Sequence, residues 1–181
     1  MPALRKASAY SKMKVVPYTR TSKQKRLAYI KTVPPQNVVK FSMGNYSGYN
    51  NGKFPYTLTL VADQSGQIRH NAIEACRQYI HKELEKKFLN QYIFKVVPYP
   101  HHIQRENKML TGAGADRMSS GMQLSFGRPM GKAALVKPGT RIFFIATGSP
   151  KIIVFARELF KTIKAKLPIK TRAESEEPKV K

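Results

Sequence analysis

The stretch Tyr56-Thr57-Leu58-Thr59-Leu60-Val61-Ala62-Asp63-Gln64-Ser65-Gly66, together with residues 67–88 that follow it, decides the fold class. Residues 56–62 are β-branched, aromatic or aliphatic and read as a strand. Asp63 to Gly66 supply a turn and a helix cap. From there Ile68, Ala72, Ile73, Cys76, Ile80, Leu84 and Phe88 recur at helical spacing. Arg69, Arg77, Lys82, Lys86 and Lys87 take the other faces. This pattern predicts an amphipathic helix over 67–88. Cys76 lies on its apolar face and reads as a small core residue rather than a nucleophile.

Working outward toward the C-terminus, residues 92–97 read as a strand stopped by Pro98 and Pro100. A second short strand is expected through 101–104, and others at 123–126, 133–136 and 141–147. Lys137-Pro138-Gly139-Thr140 between the last two suits a type II turn. Thr147-Gly148-Ser149-Pro150 opens a second helix, with Ser149 as cap and Pro150 at the first position. Its apolar face is Ile152, Ala156, Leu159, Phe160, Ile163 and Leu167, and Pro168 ends it. Toward the N-terminus, Gly44, Asn45, Gly48, Asn50, Asn51, Gly52 and Pro55 mark residues 44–55 as a loop. Two amphipathic helices with several closely spaced strands predict an α+β fold whose helices cover one face of the sheet. Connections too short for crossover helices make the sheet mainly antiparallel.

Charge sets the class of partner. Among 181 residues, 33 Lys and Arg stand against 10 Asp and Glu, a formal charge of +23. Such a surplus destabilises an isolated compact domain and is relieved by a polyanion. Nucleic acid is the usual one, since each neutralised phosphate releases condensed counterions. An anionic membrane would call for a basic amphipathic helix or a lipid anchor, and neither is evident. No apolar run approaches the roughly 20 residues that span a bilayer, and no signal peptide opens the chain. These features and a single cysteine point to the cytosol. The hydrophobic fraction of 41% is enough for a real core.

The charge is uneven. Residues 1–62 hold 11 basic side chains and no carboxylate. Within residues 1–36 the cations alternate with Tyr10, Tyr18 and Tyr29, and Val33-Pro34-Pro35 enforces an extended backbone. Residues 1–36 therefore read as a basic arm that is loose alone and orders on RNA. The competing reading is a solvated tail. The tyrosines, which can stack on bases, favour RNA. Residues 37–168 form the α+β domain, and 169–181 a charged tail with Glu174, Glu176 and Glu177.

Catalytic and metal chemistry find no support. His101 and His102 are adjacent and point to opposite faces of a strand. His70 and His81 share a helix face but stand roughly 16 Å apart at the helical rise, too far to chelate one ion. Gly112-Ala113-Gly114-Ala115 lacks the Gly-Lys-Ser/Thr ending of a phosphate loop. No Gly-x-Ser-x-Gly elbow is present, and no carboxylate pair suits acid-base work. No catalytic residue, metal, cofactor or small-molecule substrate is expected.

What remains is a loop over residues 109–122, rich in small residues and without core periodicity, of the kind that carries function. Arg105 and Lys108 stand at one foot, Arg128 and Lys132 at the other, and Arg117 near the tip. They are either surface charge at a hairpin base or a phosphate clamp whose small residues let the tip enter a crowded cleft. Met109, Met118 and Met122 are core filler or soft contacts.

At this loop the chain resembles a known family. Asn107-Lys108-Met109-Leu110, Ala113-Gly114-Ala115-Asp116-Arg117, Gly121-Met122 and Phe126-Gly127 form one block. Ala156-Arg157-Glu158-Leu159-Phe160-Lys161, running into Ala165-Lys166-Leu167-Pro168-Ile169-Lys170-Thr171, forms a second. Both are similar to the large-subunit ribosomal protein family called L-ten-e in archaea and eukaryotes and L-sixteen in bacteria. The resemblance covers roughly residues 1–171. It implies an α/β-hammerhead-like fold on the large subunit, in contact with 23S-type and 5S-type ribosomal RNA and neighbouring ribosomal proteins. It also implies a loop that reaches toward tRNA and the peptidyl-transferase centre, without catalysis. The loop positions carried over are Met109, Gly112, Ala113, Gly114, Ala115, Asp116, Arg117 and Met118. Loop length and the absence of a long C-terminal extension suggest an archaeal member.

The expected RNA contacts are Arg5, Lys6, Lys12, Lys14, Tyr18, Arg20, Lys23, Lys25 and Arg26 in the arm. In the body they are Arg69, Arg105, Lys108, Arg128 and Lys132. A free-standing RNA-binding regulator or RNA chaperone is the alternative, and a nucleic-acid-processing enzyme a third reading disfavoured by the missing acid-base set.

Overall fold

A computed structural model describes residues 16–106 and 127–176. The elements run β1 (Ser42–Gly44), α1 (Tyr46–Asn50), β2 (Tyr56–Ala62), β3 (Gly66–Arg69), α2 (His70–Lys87), β4 (Tyr92–Val96) and β5 (His102–Glu106). They continue with β6 (Arg128–Val136), β7 (Arg141–Thr147), α3 (Pro150–Ile163), a 3-10 turn (Lys164–Lys166) and β8 (Thr171–Glu176).

The α+β class holds, but the strands divide into two sheets. One has five strands in the order β1-β4-β7-β2-β8, the other three in the order β3-β6-β5. The registered pairings are antiparallel, as the short connections required. The β6–β7 connection is the expected turn. Thr140 N–H donates to the Lys137 carbonyl at 3.0 Å, and Gly139 has φ +84°, which glycine adopts without a Cβ penalty.

The core lies between the five-stranded sheet and α2 and α3. The sheet contributes Leu58, Leu60, Phe94, Phe143 and Ile145. Helix α2 contributes Ile73, Cys76, Ile80 and Leu84, and α3 contributes Ile152, Ala156, Phe160 and Ile163. These are the residues that the helical period selects. Burial pushes the Cys76 thiol up to about 11, which suits an inert core residue.

Four expectations change. The helix over 67–88 begins at His70. Residues 66–69 are strand β3, and the cap position is Arg69, without a side-chain cap bond. Ile68 has the right phase for either element, and pairing of Gly66 to Arg69 with Val136 to Ala133 decides for strand. Residues 44–55, read as loop, contain β1's end and the one-turn helix α1. Asn45 caps it, its Oδ1 accepting the Gly48 N–H at 2.8 Å. Ser149 does occupy the cap position of α3 with Pro150 in the first turn. It makes no side-chain cap bond, and instead its N–H donates to Thr147 Oγ1 at 3.1 Å. Residues 171–176, expected in the charged tail, form strand β8 paired with all of β2 from Thr57 to Ala62.

Candidate nucleic-acid interface

Residues 16–41 make no helix or strand in their first 26 positions, yet they are tied to the body. Ala28 and Ile30 are buried, while Arg20, Lys23, Lys25 and Arg26 are exposed. Lys31 Nζ donates to the Lys25 and Arg26 carbonyls, both at 3.1 Å, closing a turn that displays the cations. The Ile30 N–H donates to the Arg20 carbonyl at 3.1 Å.

Three side chains of the body accept backbone N–H groups from this segment. His102 Nδ1 accepts from Tyr18 at 3.0 Å, His70 Nδ1 from Asn37 at 3.1 Å, and Glu74 Oε2 from Val39 at 3.4 Å. An imidazole nitrogen that accepts must be unprotonated. Burial, followed by the charges of Lys132 and Arg69, holds the His70 pKa below its ordinary value. Burial, followed by His101 and Arg105, does the same to His102. Glu74 is held ionised chiefly by the hydrogen bond from Arg77. Arg77 Nε lies 2.7 Å from Glu74 Oε2.

The segment also carries an aromatic-cation cluster. The Arg105 guanidinium lies 3.9 Å from the Tyr18 ring centroid. Tyr18 meets Tyr29 edge-to-face at 6.0 Å, and Arg20 lies 5.1 Å from the Tyr29 centroid. Guanidinium groups set over tyrosine rings in this way are held at fixed positions.

Strands β5 and β6 of the three-stranded sheet carry the feet of the segment between them. Glu106 stands opposite Arg128 and Arg105 opposite Pro129, across a register shift between Gln104 and Arg105. Lys132 stands opposite Ile103, and Arg69 opposite Ala133 on the other side. The expected contacts Tyr18, Arg20, Arg69, Arg105, Arg128 and Lys132 thus belong to this sheet and the segment packed on it. Lys23, Lys25 and Arg26 lie on the neighbouring turn. Arg5, Lys6, Lys12, Lys14 and Lys108 lie outside the described residues. So do the strand expected at 123–126 and the loop residues Met109, Gly112, Ala113, Gly114, Ala115, Asp116, Arg117 and Met118.

Sequence reasoning missed other features. Arg77, placed off the apolar face of its helix, is nonetheless buried against Glu74. The i, i+3 spacing of the two was the available signal. His70 and His102 were weighed for metal or catalytic chemistry, and their part in holding the N-terminal segment leaves no local signature. Lys95 lies between Tyr46 and Tyr49, 5.2 and 4.3 Å from their centroids, an arrangement built by β4 and α1 together. Among the described residues no cluster of three or more His, Cys, Asp or Glu could hold a metal ion.

Comparison with known proteins supplies the context for this surface. Residues 13–174 match the family model described as ribosomal protein L16p/L10e. A protein of Sulfolobus acidocaldarius named large ribosomal subunit protein uL16 is 41% identical over 174 residues, covering 94% of this chain and 93% of the relative. Relatives of the same name from Staphylothermus marinus and Pyrobaculum arsenaticum are 41% and 40% identical, each covering 93% of this chain and 91% and 90% of their own. With a docked basic segment, cations grouped on one small sheet and a family match across nearly its whole length, the chain belongs to the ribosomal protein L16p/L10e family.

Proposed function

We propose that this chain is a structural constituent of the large ribosomal subunit in the cytoplasm, acting in translation and subunit assembly by binding ribosomal RNA. The basic arm and the β3-β6-β5 sheet are its RNA-facing surface, meeting 23S-type and 5S-type RNA. Neighbouring ribosomal proteins complete its surroundings. Residues 109–122 extend toward the aminoacyl-tRNA site near the peptidyl-transferase centre. The reading assigns no catalytic residue, metal or cofactor.

The stacking of Arg105 on Tyr18 at 3.9 Å carries this reading. It joins the N-terminal basic segment to the foot of the segment that the family resemblance assigns to the tRNA site. One surface then presents cations from residues far apart in sequence. Phosphate contacts made by such a surface set register and orientation rather than base specificity, as a structural ribosomal protein requires.

Sucrose-gradient fractionation of cells expressing the tagged chain tests the proposal. The chain is expected to co-sediment with large subunits at low salt and to leave them at high salt, because phosphate contacts weaken with ionic strength. Its quantitative recovery in the post-ribosomal supernatant at low salt would overturn the reading. A stable RNA complex off the ribosome would favour a free-standing regulator.

A further inference from the structure

Strand β8 ends the five-stranded sheet, and β2 is its strand neighbour among the described residues. Its ladder is regular, with six consecutive pairs from Thr57–Glu176 to Ala62–Thr171 and no register shift. Backbone groups in an antiparallel ladder alternate in direction. The Asp63 N–H donates to the Lys170 carbonyl at 3.0 Å. Continued along the register, that bond turns the backbone of Arg172, Glu174 and Glu176 toward β2. The opposite side of β2 obeys the same alternation, with Ala62 N–H donating to Thr140 at 2.9 Å and its carbonyl accepting from Gly139 at 2.8 Å. The N–H and C=O groups of Thr171, Ala173 and Ser175 therefore face outward. The strand has no proline or bulge, two of the devices that close an edge.

The edge gathers three carboxylates, Asp63, Glu174 and Glu176, around Arg172 and Arg157, in a chain where cations otherwise far outnumber carboxylates. The chain has 10 carboxylates against 33 cations. Glu174 and Glu176 lie exposed on β8. Asp63 joins them through Arg172, whose guanidinium is 3.5 Å from Asp63 and 2.7 Å from Glu174. Asp63 and Glu174 thus share one guanidinium, Glu176 is a third carboxylate without an ion pair among the described residues, and Arg157 donates to Ser175 Oγ at 2.8 Å. An RNA backbone laid here would set phosphates against them. At the end of the strand, Tyr56, Pro150, Ile153, Val154 and Arg157 line a notch beside Glu176, and Val154 is 62% exposed.

We infer that the β8 edge docks an extended, lysine-rich segment of a partner protein. The segment adds as a strand to the outward backbone groups of Ala173 and Ser175, Thr171 being buried. Its cations meet Glu174 and Glu176, and one apolar side chain enters the notch beside Val154. Strand addition takes affinity from main-chain hydrogen bonds and specificity from alternate side chains. RNA offers no N–H and C=O groups at the strand repeat, so the partner is a protein. This edge is separate from the RNA-facing sheet.

The test titrates the full chain with a fluorescent, end-blocked peptide, Lys-Val-Lys-Val-Lys-Val, and with the same peptide N-methylated at every peptide bond. Methylation keeps charge and side chains and removes each N–H. The unmethylated peptide is expected to bind at least tenfold more tightly in anisotropy. It is also expected to slow amide exchange at Ala173 and Ser175. Reversing the edge charge with Glu174→Lys and Glu176→Lys together is expected to weaken binding at least tenfold. Ala173→Pro removes one outward N–H, without changing charge, and is expected to weaken it as well. Equal binding of the two peptides to the unaltered chain would overturn strand addition, whatever the variants do. Unchanged binding by the charge-reversed chain would overturn the acidic edge as the determinant. Protection of Ala173 and Ser175 by an RNA oligonucleotide would overturn the protein partner.

Discussion

The backbone N–H of Tyr18 donates to Nδ1 of His102 at 3.0 Å, across 84 positions of sequence. The Tyr18 carbonyl accepts the Ile103 N–H at 3.1 Å, so the segment is held on both sides of one residue. The geometry requires a neutral imidazole, and the same holds for His70 toward Asn37.

This relationship predicts a dependence of stability on pH. Both histidines have folded pKa values below their ordinary 6.5. As pH falls, the unfolded chain takes up these protons first. The stability they contribute is complete above about pH 6.5 and is lost as pH falls from there toward the lowered folded values. Glu74, also lowered, contributes loss only below its ordinary 4.5. Melting temperature should therefore decline between pH 7 and 5. In a chain carrying His70→Asn and His102→Asn, whose amides accept but do not titrate, it should stay level there. A decline that begins only below pH 4.5 in the unaltered chain would contradict the assignment.

Tyr18→Ala removes the ring beneath Arg105 but keeps the backbone bonds to β5. The loss is about 0.5–1 kcal/mol for a partly exposed stack. Amide exchange across residues 16–30 should quicken severalfold, with global unfolding nearly unchanged. Exchange rates indistinguishable from the parent chain would show that the stack holds nothing in place.

Arm and loop substitutions should separate. Arg20→Ala or Arg26→Ala should weaken RNA binding and lower the slope of log affinity against log salt by about 0.7–0.9 per lost phosphate contact. Arg117→Ala should leave incorporation into subunits largely intact and impair translation or late maturation. Equal loss of incorporation in both classes would argue against the division.

Gly44→Ala should destabilise the fold by about 2–3 kcal/mol. Gly44 has φ +94°, and a Cβ there would collide with the Tyr92 carbonyl oxygen, which accepts the Asn45 N–H at 2.9 Å. Urea denaturation measures the loss, and Gly52→Ala is the comparison. Gly52 also has positive φ, but open space surrounds it, so its loss should be smaller.

Arg77→Ala strands the buried Glu74 carboxylate and should cost about 3–5 kcal/mol. Replacing both residues by apolar ones of similar volume should recover most of that loss, because the desolvation of two charges is then avoided. Urea denaturation of single and double variants gives both values. A double variant no more stable than Arg77→Ala would show that the Val39 and Gln78 bonds to Glu74 matter more than its charge.

The sequence by itself determined the α+β class, the two long helices and most core residues. Those depend on local periodicity, and Ile73, Cys76, Ile80 and Leu84 carry it through α2. It also pointed to a polyanion as the main partner, because 33 cations against 10 carboxylates need no geometry to interpret. Tertiary structure decided the rest. Whether residues 66–69 begin a helix or form β3 depends on pairing with Val136 to Ala133, more than 60 positions away. Whether Thr171 to Glu176 trail as a tail or close a sheet depends on β2 offering a free edge. The bonds that Tyr18 and Asn37 N–H donate to His102 and His70 likewise arise only when the chain folds back on itself. Local sequence records the propensity of a segment. Pairing between distant segments is set by which groups the fold leaves without partners, and buried backbone groups without partners are costly enough to override a local preference.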